Sequence, residues 1–97
     1  MITHIVFLNI KPELNKSAVL NALEKQLLAL NDSISELNHL EFGKDFNQSG
    51  LAFDAALYST FSTKADLEAY QIHPEHLKAK DYIIEVTSAR AVVDYEN

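Results

Sequence analysis

The chain has 97 residues, a formal net charge of −6 and no cysteine. That is enough sequence for one domain, spanning 1–97, and it excludes disulfides, thiolate metal sites and cysteine nucleophiles. Its eight Lys and Arg are scattered, so the basic footprint that a nucleic-acid or anionic-membrane partner requires is missing.

Residues 2–10, ITHIVFLNI, are rich in β-branched and aromatic side chains. Ile2, His4, Val6, Leu8 and Ile10 fall on one face of a strand, and Thr3, Ile5, Phe7 and Asn9 on the other. Both faces are largely apolar, which predicts a strand covered on both sides. The apolar run is short and has no basic segment ahead of it, so it reads as neither signal peptide nor membrane span. Lys11-Pro12 ends it.

From Asn15 to Asn31 the period changes. Leu20, Leu23, Leu27 and Leu30 share one stripe with Val19 beside it, while Glu24, Lys25 and Gln26 fall away. This predicts an amphipathic helix broken at Asn31-Asp32-Ser33. Residues 37–46 alternate loosely and suit a second strand, in which Gly43 signals a bulge or a close backbone approach. Asn47-Gln-Ser-Gly50 is a turn cluster, and 51–61 form a third strand, hairpin partner of the second.

Thr63 followed by Asp66 resembles a capping box, opening a short helix to Ile72. Pro74 cannot continue that helix but suits the first turn of another. The second helix runs to about Glu85, with His73 at the junction, and 86–95 form the last strand.

The order β-α-β-β-α-β is the α+β, ferredoxin-like split βαβ arrangement: a four-stranded antiparallel sheet with helices on one face. The strands hold few polar positions with which to solvate the opposite face, and 47% of the residues are hydrophobic. That exceeds what one small core hides. The expectation is a homodimer that buries the bare faces against each other, forming an α/β barrel. A small domain without disulfides fits a reducing compartment, so a cytoplasmic location is expected.

The segment Tyr70-Gln-Ile-His73-Pro-Glu-His76 is the densest polar, titratable cluster. Tyr70 lies in the last turn of one helix and His76 in the first turn of the next, and the break at Pro74 lets both point at one place. The positive end of a helix dipole disfavours protonation of His76, so a neutral imidazole is available as a general base. A tyrosine hydroxyl can donate to a developing oxyanion, or to a carbonyl or phenol. The same residues also have a plain structural reading, with His beside Pro as a helix cap and Tyr70 as core. His73 and His76 are spaced i, i+3, but His73 precedes the proline and no carboxylate cluster joins them, so no metal site is expected. His4, amid apolar neighbours, reads as a satisfied buried histidine, and His39 as a surface or sheet-edge residue. No phosphate loop, Gly-rich fingerprint or nucleophile elbow is present, and no cofactor is expected.

Met1-Ile-Thr-His4-Ile-Val-Phe7, Phe42-Gly43-Lys44-Asp45 and the Tyr-x-x-His-Pro-x-His segment together resemble the stress-responsive A/B-barrel (Dabb) family across the whole chain. The resemblance implies the ferredoxin-like fold and the dimeric barrel. Most members look like proteins of unassigned function. The olivetolic acid cyclase branch closes a linear polyketide by aldol condensation without a cofactor. In that branch the Tyr and final His of this segment are the catalytic pair, matching Tyr70 and His76, and a strand-one His matches His4. A further pocket His of that branch falls at Ala55 here. The implied mechanism has His76 removing a proton next to a carbonyl and Tyr70 stabilising the enolate. His4 and His73 contact the substrate, and Val6, Leu8, Leu20 and Leu23 serve as candidate walls, although their first reading is core. Three readings stand: a pocket that binds a small apolar or aromatic molecule, a cofactor-independent cyclase, lyase or monooxygenase-like enzyme, and a structural stress-related dimer with no cavity.

Overall fold

A computed structural model describes all 97 residues. The order is β1 (Ile2–Ile10), α1 (Lys16–Leu28), α2 (Leu30–Ser33), β2 (His39–Lys44), β3 (Ala55–Phe61), α3 (Lys64–Ile72), α4 (Pro74–Val86) and β4 (Thr87–Glu96). The strands form one antiparallel sheet in the order β2-β3-β1-β4, the ferredoxin-like βαββαβ arrangement expected from the sequence.

Local chemistry sets the boundaries. Asn15 caps α1, its side chain accepting from the Ala18 N–H, and Thr63 caps α3 by accepting from the Asp66 N–H. Asn31-Asp32-Ser33 is not a simple break, because a one-turn helix, α2, follows Ala29. The Asn31 side chain then both donates to and accepts from the Leu40 backbone, docking α2 on β2. The third strand starts at Ala55 rather than 51. Asp54 is drawn out of the hairpin to close the end of β1, its N–H donating to the Leu8 carbonyl and its carboxylate accepting from the Ile10 N–H and pairing with Lys16 at 3.0 Å. The expected bulge at Gly43 is absent: the β2–β3 register runs evenly through Gly43 and Ala56, and a Cβ at Gly43 would meet nothing within 4 Å. The sheet irregularity lies instead on β1, between Asn9 and Ile10 opposite β4.

The cross-strand register decides which side chains meet. His4 pairs with Ser59 and Asp94, Val6 with Leu57 and Val92, and Leu8 with Ala55 and Arg90. These look toward the helices, where Leu8, Leu20, Leu23, Leu27, Leu40 and Phe61 belong to one buried core. Phe7, Tyr58 and Val93 belong to the other face, which no helix covers, and Val93 and Tyr95 are about half exposed there, at 51% and 44%.

Candidate active-site pocket between sheet and helices

The site is built at the break between α3 and α4. Pro74 lacks the N–H that would continue α3, and it holds His73 in extended backbone (φ −64°, ψ 136°). The chain therefore turns between Tyr70 and His76, and their rings come to 4.4 Å between centroids. Leu67 and Tyr70, three apart on α3, bury the same helix face. Tyr70 is fully buried and packs against Phe61 at 5.0 Å and edge-on to His4 at 6.4 Å. The structural reading of Tyr70 as core holds, and the residue also borders a cavity.

That hydroxyl has no hydrogen-bond partner in the chain. A buried hydroxyl left unpaired costs about 1–3 kcal/mol. Burial also pushes its pKa well above the ordinary phenol value, so it is a neutral donor at physiological pH.

His76 is the complementary group. Its Nδ1 lies 3.0 Å from the Gln71 carbonyl oxygen. A carbonyl only accepts, so Nδ1 carries the proton and Nε2 keeps its lone pair in the neutral ring. Burial lowers the pKa of His76. The Gln71 hydrogen bond opposes this, and the charges of His4, Lys80 and His73 add to it.

His4 is buried on β1, with Nδ1 bonded to the Asp94 carboxylate on β4. The carboxylate fixes the ring, so the expectation of a satisfied buried histidine holds. Asp94 was not visible as a candidate in the sequence, because only the β1–β4 register places it opposite His4. His73 is placed elsewhere. Its Nδ1 accepts from the Glu75 N–H at 3.1 Å as the cap of α4, and it does not line the cavity. His39 stands exposed on the edge strand β2, 3.4 Å from Glu41.

Tyr70, His76 and His4 open onto a cavity of about 490 Å³, within the usual range for small-molecule sites. Val6, Leu57 and Ile83 form its apolar wall, and Lys80 and Arg90 reach it from α4 and β4. Of the four expected wall residues only Val6 lines it, since Leu8, Leu20 and Leu23 are core. Another hollow, of about 560 Å³ beside Phe7, Phe53 and Ala56, has Lys44 and Asp45 in its lining but no histidine or tyrosine. No three His, Asp or Glu side chains gather as they would around a metal ion, and no helix is long and apolar enough to cross a membrane.

The sequence profile of the Stress responsive A/B Barrel Domain, Dabb, matches residues 2–97. The chain belongs to the Dabb family. Among solved structures, this Dabb chain is similar to a dimeric protein of unknown function and ferredoxin-like fold from Bacteroides fragilis. The two are 33% identical over 99% of this chain and 95% of that one, with a TM-score of 0.89. It is also similar to a dimeric ferredoxin-like protein of unknown function from Thermobifida fusca, at 24% identity, 99% and 90% coverage and TM-score 0.89. The hydroxynitrile lyase of Passiflora edulis shares the fold at 21% identity, 97% and 90% coverage and TM-score 0.86. No protein of curated function matches the chain.

Proposed function

We propose that this Dabb protein binds a small apolar or aromatic molecule bearing a carbonyl or phenol oxygen, in the cavity between sheet and helices. The observation that carries this reading is the fully buried Tyr70 hydroxyl, which has no partner in the chain and sits beside the His76 ring. A ligand oxygen accepting from it would supply the missing hydrogen bond.

A second reading follows from the state of His76. With Nδ1 held by Gln71 and the ring neutral, Nε2 can take a proton from carbon next to a carbonyl, while the Tyr70 hydroxyl donates to the enolate oxygen. This is cofactor-free cyclase, lyase or isomerase chemistry of the kind the olivetolic acid cyclase branch uses. The hydroxynitrile lyase of Passiflora edulis shares the fold. That likeness supports the scaffold, not the reaction.

The working form in this proposal is a homodimer in a reducing, cytoplasmic compartment. The uncovered sheet face with Phe7, Tyr58 and Val93 supports the dimer, as do the dimeric proteins from Bacteroides fragilis and Thermobifida fusca.

The test is a thermal-shift screen of phenols, aromatic acids and β-polyketones against wild type, Tyr70→Phe and His76→Ala. A ligand at ~100 times its Kd stabilises the fold by roughly 2.7 kcal/mol, and each kcal/mol moves Tm by about 4–8 °C in a domain of this size. The expected result is a shift in wild type that both variants lose. Equal shifts in all three proteins would overturn the assignment of the site. A wild-type dimer that binds nothing would favour a structural role.

A further inference from the structure

The cavity is charged in a way that the protein as a whole is not. The chain carries fourteen Asp and Glu against eight Lys and Arg. Yet the residues lining the cavity include two cations, Lys80 and Arg90, and no carboxylate. Neither cation pairs with an acid anywhere in the fold. In an acidic protein, two unpaired cations converging on one apolar cleft produce a local positive potential.

Each is placed by the fold. Lys80 follows His76 by four residues on α4, so it stands one turn along on the same face. Arg90 lies on β4 opposite Leu8, on the helix side of the sheet. Its Nη1 donates to Thr87 Oγ1 at 2.8 Å, and the buried Thr87 hydroxyl donates in turn to the Ile83 carbonyl at 2.6 Å. A neutral hydroxyl thus orients the guanidinium without cancelling its charge. One donor is used and the rest of the planar fork is left for an anion. Around these cations the rim is aliphatic, with Ile72, Leu77, Ile84 and Val92 all exposed at 43% or more.

We infer that the ligand is an amphipathic organic acid. Its apolar body lies along Val6, Leu57 and Ile83, and its carboxylate is bound by Lys80 and Arg90 at the mouth. The inference rests on the pocket reading above and adds the ligand's charge. Lys80 and Arg90 are binding residues here and take no part in proton transfer.

The experiment compares phenylalkanoic acids of two to five chain carbons with their primary amides by calorimetry. It uses wild type and the Lys80→Gln/Arg90→Gln double variant, checked as folded by circular dichroism. The acid should bind wild type about tenfold tighter than its amide, and the double variant should lose most of that preference while binding the amide within about twofold of wild type. Raising NaCl should weaken the acid and leave the amide unchanged. Acid and amide binding wild type equally would overturn the inference and leave the pocket standing. So would an acid preference that survives in the double variant. Failure of every acid and every amide to bind would sink the pocket reading together with it.

Discussion

Over β2, the helix-covered side of the sheet is closed by aliphatic side chains, with Leu20, Leu23 and Leu27 of α1 sharing one core with Leu40. Over β1 and β4, the same side is covered by Tyr70 and His76, and a cavity of about 490 Å³ remains. The two halves differ in two physical respects. First, α1 is continuous and presents an unbroken leucine stripe, whereas the second helical stretch is cut at Pro74, which turns two polar tips inward. Second, β2 is covered by α1 and α2, while the helix-side residues of β4, Arg90, Val92, Asp94 and Glu96, stay exposed at the opposite edge. A half that packs shut stabilises the fold, and a half that keeps an unpaired hydroxyl beside a cavity gives up some of that stability.

The first way to break this comparison lies outside both halves, on the uncovered face. Val93→Asp is expected to have the largest effect. It places two unpaired carboxylates in the proposed sheet-to-sheet interface, and leaving a buried charge unpaired costs about 3–5 kcal/mol. Light scattering should show twice the chain mass for wild type and a single-chain mass for the variant. A variant that remains dimeric at micromolar concentration would place the interface elsewhere.

Next, Leu23→Ala in the closed half should cost about 2–5 kcal/mol in urea unfolding, as for buried leucines generally, and should leave ligand affinity close to wild type. Tyr70→Phe in the open half should do the reverse. Removing a buried, unpartnered hydroxyl should stabilise the free protein by up to about 1–3 kcal/mol while weakening the ligand. Destabilisation by Tyr70→Phe would show that the hydroxyl is already satisfied, and the two halves would no longer contrast.

The smallest effect is on pH dependence. The pKa of His76 is lowered on folding, chiefly by burial. Below about pH 6.5, the ordinary imidazole value, the unfolded chain takes up the proton more readily than the folded one. The stability His76 contributes is therefore full above that pH and lost as pH falls through its folded value. Tm of wild type should fall more steeply than that of His76→Gln between pH 7 and 5. Parallel curves would mean the ring is not desolvated. If the pair is catalytic, turnover should rise with pH, with its midpoint below the ordinary imidazole pKa.

Much of this could be read from residue order. Pro74 between Tyr70 and His76 was sufficient to predict two helices and a meeting of the two rings, because a proline break acts locally. The apolar second face of β1 predicted cover on both sides, and no helix of the chain supplies it over Phe7. What was missed depended on contacts between distant residues. His73 looked like a site residue, but its own ring is occupied in capping α4. Arg90 was one scattered cation among eight until Thr87 and the strand register aimed it into the cavity. Leu8, Leu20 and Leu23 read first as core and only second as walls, and packing puts them in the core.

The sequence by itself determined the order of the strands and the longer helices, the break at Pro74 and the excess of apolar surface, because each follows from local backbone preference and side-chain periodicity. Only the tertiary structure decided that Asp94 holds His4, that Lys80 and Arg90 reach one cavity and that Tyr70 keeps a hydroxyl with no partner. Those facts depend on strand register and on what neighbouring elements leave unfilled, and neither is encoded within any single segment.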